Sequence, residues 1–222
     1  RPRDARSVPT GRAPRRSVRV IYDDSARLES ATELWGLSTS ETQARLRTRL
    51  GPEYQFAVIG PAGESLVRYA TISHDGRHAG RGGSGAVLGS KNIKAIAVRG
   101  SRRCDWADPR GLISFARDLS EKSFGPATAK YRELGTASNL LTFNRLNVLP
   151  TRNFQQGRFA GVDAISPEQL GVAREKTRAS CAACTIGCEH LYSLKDRKGG
   201  VRLEYENLFA LGPLCAIDDP DV

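Results

Sequence analysis

The chain has 222 residues, 39% of them hydrophobic and 26% charged, with a formal net charge of +10 and no methionine. That length suits one or two domains with a real core, and neither a membrane-length apolar run nor a secretory signal pattern is present, so a cytoplasmic protein is expected. Arg1, Arg3, Arg6, Arg12, Arg15, Arg16 and Arg19 concentrate charge at the start, but no aromatic residues interleave to stack bases, so nucleic acid is not an expected partner.

Ser17 to Tyr22 alternates as a strand and Asp23-Asp24 offers a hairpin turn. Ser38 or Ser40 caps a helix that runs through Leu50 and stops at Gly51-Pro52. Gln55 to Ile59 is a buried-type strand entering the turn Gly60 to Glu64, and Arg68 to Ser73 reads as another strand. Asp75 to Ile96 is unusually rich in glycine. Gly80, Gly82 and Gly85 match the dinucleotide pattern G-x-G-x-x-G, although the acidic residue expected about twenty positions later is not convincing. A Walker A loop fails because Ser90 separates Gly89 from Lys91. What remains is an anion pocket built of glycines, two arginines and a helix N-terminus, or simply a tight turn. Lys94 to Val98 closes this half as a strand, and Gly100 to Arg103 reads as a boundary.

Beyond it the pattern is helical. Asp108-Pro109 starts a helix whose Leu112, Phe115, Ala116 and Leu119 share a face. Tyr131 to Phe143 is a helix broken near Gly135, Asn147 to Gly157 an ordered loop, and Pro167 to Thr177 a helix capped by Ser166 with Leu170 and Val172 apolar. Lys195 to Gly200 is a polar turn, and Leu203 to Leu211 is apolar-periodic.

Cys181-Ala-Ala-Cys184-Thr-Ile-Gly-Cys188 has the spacing C-x2-C-x3-C, and Gly187 lets the backbone close around one centre. An iron-sulfur cubane uses all three thiolates and needs one more ligand. A disulfide leaves a reactive third thiol, and zinc could add His190. The remaining cysteines, Cys104 and Cys215, sit in no such motif.

Several stretches together resemble the aldehyde ferredoxin oxidoreductase family of tungsten or molybdenum pterin enzymes: Leu34-Trp35-Gly36, Ile59 to Glu64, Ala79 to Gly83, Gly85 to Ile96, Leu134 to Ala137, Asn153-Phe154, Cys181 to Cys188, Glu204 to Glu206 and Ala210 to Gly212. The resemblance implies an α+β chain: residues 1–10 an unassigned basic arm, 11–102 the end of a sheet-rich pterin-binding domain, and 103–222 the start of a mainly helical domain with the cluster cysteines. It implies an internal fragment of a longer polypeptide, inactive alone. By resemblance Cys181, Cys184 and Cys188 ligate a 4Fe-4S cluster, Arg77, Ala79, Gly80 and Arg81 lie in the loop holding the phosphates of a tungsten or molybdenum bis-pterin, and Glu206 is a catalytic carboxylate. Glu206 is expected to be buried by Tyr205, Leu208 and Phe209, with Glu204 as its competitor. The implied reaction oxidises a small aldehyde to a carboxylate and passes electrons to ferredoxin, in a possible homo-oligomer; other family members reduce aromatic acyl-CoA thioesters. The rival readings are a non-catalytic electron-transfer or zinc module, and a basic nucleic-acid-binding domain recognised by steeply salt-dependent binding.

Overall fold

The computed structural model describes residues 10–102, 106–195 and 199–222, and it separates into two compact units, one ending at Trp106 and the next beginning at Ala107. Cys104, the end of the expected boundary at Arg103, residues 196–198 of the polar turn and the first arginines lie outside the described residues.

The first unit is a six-stranded sheet ordered β2 (Ser25–Ser30), β1 (Ser17–Tyr22), β6 (Ile93–Arg99), β3 (Gln55–Val58), β4 (Ile72–His74), β5 (Arg77–Ala79). Strands β1 (Ser17–Tyr22) and β2 (Ser25–Ser30) form the expected hairpin, in register from Ser17↔Ser30 to Tyr22↔Ser25. Asp23 turns the chain with a φ of 48°, a left-handed geometry that aspartate tolerates better than most residues. Helix α1 (Thr39–Leu50) begins as its sequence dictates: Ser38 accepts from the Glu41 amide at 3.3 Å, and Glu41 accepts from the Ser38 amide at 3.0 Å. Strand β3 (Gln55–Val58) leads into a four-residue helix, α2 (Pro61–Glu64), where a plain turn was expected.

Strands β4 (Ile72–His74) and β5 (Arg77–Ala79) make a second hairpin around Asp75 and Gly76, whose φ values of 43° and 76° suit a tight hairpin turn. Helix α3 (Ser84–Ser90) then returns the chain to β6 (Ile93–Arg99), which runs parallel to β1 and antiparallel to β3. The strand expected over Arg68 to Ser73 is confined to its end, because the Ala70 carbonyl turns away to accept the Gly85 amide at 2.9 Å. Val18, Val20, Leu34, Leu46, Phe56, Val58, Ala95 and Ala97 fill the main core, and Ile59, Leu88 and Ile93 form a smaller one beneath α3.

In the second unit, Asp108 caps α4 (Pro109–Ser123) by accepting from the Gly111 amide at 2.9 Å. The expected apolar face is present but uncovered: Leu112, Phe115 and Leu119 are all exposed. Helix α5 (Pro126–Leu134) stops at Gly135, with φ 71°, and after one 3-10 turn α6 (Leu140–Arg145) completes the predicted broken helix. Helix α7 (Pro167–Ala173) buries Leu170 but leaves Val172 87% exposed, so Val172 does not share its inner face. The core gathers Ala137, Leu140, Leu149, Phe159, Val162, Ile165 and Leu208. Buried Asn144 locks it by donating to the Phe159 carbonyl at 3.1 Å and accepting the Phe159 amide at 2.7 Å.

The helical reading of this unit missed a three-stranded antiparallel sheet: β7 (Lys176–Ala179), β8 (Glu189–Ser193) and β9 (Gly200–Leu203). The central strand buries Glu189, His190 and Tyr192, so it carries no apolar alternation. Helix α8 (Tyr205–Leu211) follows directly from β9.

Candidate functional site

In the first unit, the glycines of the loop divide into two kinds. A Cβ on Gly83 would lie 2.1 Å from the Arg68 carbonyl oxygen, one on Gly85 2.4 Å from that of Thr71, and one on Gly89 1.9 Å from that of Gly63. These three let α3 lie directly on neighbouring backbone, which is a packing requirement. Gly80 meets only a Thr71 methyl at 3.8 Å, and Gly82, with φ 88°, faces open space. Arg77 is half-buried on β5, whereas Ala79, Gly80 and Arg81 are exposed where the hairpin runs into the loop. The expected contribution of a helix N-terminus shrinks, since α3 has seven residues and its Gly85 amide is spent on Ala70. The dinucleotide reading fails on topology: β5 is an antiparallel edge strand, and the third glycine of the pattern is a packing glycine.

Sequence reading also missed what joins two of the family-like stretches. Lys94 is fully buried on β6, donates to the Leu37 carbonyl at 2.9 Å and forms an ion pair with Glu64, whose other oxygen accepts the Gly36 amide at 2.8 Å. Thus Trp35-Gly36-Leu37 and the Gly60 to Glu64 turn are held on one buried charge pair. The signal was a lysine set between apolar residues, Ile93 and Ala95, inside a strand.

An open cleft of about 440 Å³ is lined by Glu29, Ser30, Thr32, Glu33 and Arg49, none of them from the glycine loop. Arg49 already pairs with Glu29 at 3.4 Å and Glu33 at 3.2 Å there, so the cleft offers little uncompensated charge.

In the second unit, the cysteine loop joins β7 to β8. The Cys184 amide donates to the Cys181 carbonyl at 3.1 Å, and Ala183 and Gly187 take left-handed φ values of 58° and 61°. Cys181 is exposed, Cys184 and Cys188 half-buried, and none of the three is in a disulfide. Backbone N–H groups of Ile186 and Gly187 point at the Cys184 sulfur and lower its pKa. Burial raises that of Cys188, with the Glu204 carboxylate next in effect and the charges of Cys181 and Cys184 behind it. Amides aimed at sulfur, and thiols near enough to feel one another, fit the donor chemistry of a thiolate-held iron-sulfur cluster. Among the described residues no three His, Cys, Asp or Glu side chains stand together as a site for a single metal ion. His190 is buried, with Nε2–H committed to the Arg132 carbonyl at 3.0 Å. Burial holds its pKa low. Cys215 is exposed, and its thiol donates to the Ala210 carbonyl at 3.3 Å.

Helix α8 places Glu206 in its first turn, and there the expectation of burial fails. Leu208 faces the core and Tyr205 stacks on Phe209 at 5.1 Å, which leaves Glu206 on the exposed side. Glu204 is the helix cap instead: its carboxylate accepts the Asn207 amide, and its own amide donates to the Asn207 side chain at 2.8 Å. The loop containing Asn153 and Phe154 runs through three successive left-handed residues, with φ 48°, 53° and 63° from Arg152 to Phe154. The Arg152 and Asn153 amides pin it to the Pro213 and Leu214 carbonyls at 2.9 and 3.0 Å. Among the described residues, no helix is long and apolar enough to cross a membrane.

Comparison with known proteins agrees with the motif pattern. Residues 7–100 match the model for the aldehyde ferredoxin oxidoreductase N-terminal domain, and residues 115–222 that for its domains 2 and 3. A tungsten-containing aldehyde ferredoxin oxidoreductase of Pyrococcus abyssi is 38% identical over 219 residues, covering 94% of this chain and 35% of that protein. A protein of the same name from Pyrococcus horikoshii is 39% identical over 209 residues, covering 90% of this chain and 33% of its own length. The chain therefore spans about a third of the length of the curated relatives it matches. Among solved structures, the active-site complex of benzoyl coenzyme A reductase with 1,5-dienoyl-CoA shares the fold, with a TM-score of 0.67 at 22% identity over 95% of this chain and 34% of that one. On both family models and these identities, the chain belongs to the aldehyde ferredoxin oxidoreductase family of oxidoreductases.

Proposed function

We propose that the chain is part of a tungsten- or molybdenum-pterin enzyme that oxidises a small aldehyde to its carboxylate and delivers the electrons through a 4Fe-4S cluster to ferredoxin. The observation that carries this reading is the Cys181 to Cys188 loop, three cysteines within eight residues, none in a disulfide, with backbone amides turned toward Cys184, in a chain with tungsten-containing relatives. When bound, the metal pterin supplies a Lewis acid and two-electron acceptor, and the cluster carries electrons singly.

The chain's own residues have the following parts. Cys181, Cys184 and Cys188 would hold the cluster through their thiolates. Arg77 and Arg81 offset the charge of the pterin phosphates, while Ala79 and Gly80 let those phosphates approach the backbone. Glu206 accepts a proton as a water oxygen enters the product. Overall, aldehyde and water give the carboxylate, two electrons and three protons. A cytoplasmic location and a homo-oligomeric assembly belong to the same proposal.

The test is anaerobic purification of the protein from its complete gene, with metal analysis and spectra of the reduced sample. Tungsten or molybdenum with about four irons per chain is the expected result, together with aldehyde-dependent reduction of a viologen dye. Zinc alone, or no metal, would overturn the reading. A Gly80→Ala variant should keep its melting temperature and lose pterin, since the added methyl meets only Thr71 at 3.8 Å.

A further inference from the structure

Leu134-Gly135-Thr136-Ala137 is one of the family-like stretches with no role so far. Gly135 ends α5 with φ 71°, and a Cβ there would lie 2.9 Å from the Cys188 carbonyl oxygen and 3.4 Å from the His190 ring. The His190 Nε2–H bond to the Arg132 carbonyl, 3.0 Å, seats the end of α5 on the same residues. The turn therefore rests against the chain immediately after the third cysteine. On its other side the Thr136 hydroxyl oxygen accepts the Tyr205 amide at 2.9 Å. That amide is one of the unpaired donors at the start of α8, next to Glu204, and the Asn207 side chain ties the same cap to the Arg202 carbonyl at 2.8 Å. Two adjacent residues thus touch the strand leaving the cysteine loop and the helix that carries Glu204 and Glu206.

We propose that the Gly135-Thr136 turn is the positioning element that fixes the start of α8, and with it the Glu204 carboxylate, against the cysteine loop, Thr136 acting as a positioning residue for the iron-sulfur centre. The inference rests on the reading that Cys181, Cys184 and Cys188 hold a cluster. A fixed carboxylate beside a ligand sulfur opposes the arrival of an electron and keeps the potential low, as hydrogen bonds and charges around such clusters do. In the ladder between β8 and β9 Leu203 stands opposite His190, so the next residue, Glu204, lies beside the chain at Glu189 and Cys188. The Thr136 hydroxyl holds that carboxylate in place through the neighbouring amide, and Gly135 keeps the approach close.

The experiment is an EPR-monitored redox titration of the anaerobically purified protein from its complete gene. Thr136→Val keeps the shape and removes the acceptor, so the cluster midpoint should rise. Thr136→Ser should restore it. Glu204→Gln should raise the midpoint by removing the charge, and Thr136→Val added to it should raise it little further. A purely local structural role would lower stability with the midpoint unmoved. An iron-loaded Thr136→Val or Glu204→Gln protein with the wild-type midpoint would overturn the inference alone. A wild-type protein without iron would overturn the functional reading, and this inference with it. Should Thr136→Val fail to fold, Glu204→Gln decides the matter.

Discussion

Lys94 and Glu64 are buried together, so removing either leaves a charge with neither water nor a counterion. Lys94→Ala is expected to cost about 3 to 5 kcal/mol in urea unfolding, far more than a surface pair is worth. Asn144→Ala, which leaves both the amide and the carbonyl of Phe159 unpaired, should cost about 2 to 4 kcal/mol by the same measurement. Asp23 is a gentler case. The Ser101 amide and hydroxyl, with Arg102 behind them, hold its carboxyl below the ordinary carboxylate value. Its contribution to stability is therefore complete above about pH 4 and is lost as pH falls through the depressed value, so Asp23→Asn should flatten the acid limb of the stability profile. Single residues with local roles, such as Ser38, Asp108 and Ser166 as caps, were legible in the sequence because their partners lie three positions away. Lys94 was not, because Glu64 is thirty positions distant and only the fold brings them together. The expected burial of Glu206 failed for a similar reason: apolar neighbours in sequence on a helix point in other directions.

Among elements, α3 shows why glycine count alone misleads. Gly85→Ala or Gly89→Ala must push α3 off backbone atoms and should each cost about 1 to 3 kcal/mol or more in thermal unfolding, the opposite of Gly80→Ala. The sequence marks all of these glycines alike; which ones pack and which face open space is decided by the segment from Gly63 to Thr71 lying against the helix. The β8 strand escaped notice because Glu189 and His190 are buried with polar partners, Arg202 and the Arg132 carbonyl, rather than with apolar neighbours. By contrast β1, β3 and β6 follow from their apolar residues, and α1 from its punctuation, Ser38 and Glu41 at one end and Gly51 at the other, since its buried residues are Thr42, Gln43 and Leu46. The apolar stripe of α4 was equally readable, but not its exposure, because periodicity reports a face and not what covers it.

At the scale of the whole chain, the family was legible because many short stretches keep a common order, although each is weak alone. The chemistry was less so. The cysteine spacing suggests a thiolate centre from the residues alone, whereas the carboxylate and phosphate-loop roles proposed above rest on resemblance, in a chain covering about a third of its relatives' length.

The Lys94–Glu64 pair has a consequence for heat. Withdrawing charges from water becomes less costly as temperature rises, while hydrophobic stabilisation per unit area levels off. A double replacement with leucine or methionine of similar volume should therefore match or exceed the wild type near room temperature, then fall behind it on warming. Calorimetric stability curves of the two proteins should cross; parallel curves would show that the pair contributes shape alone.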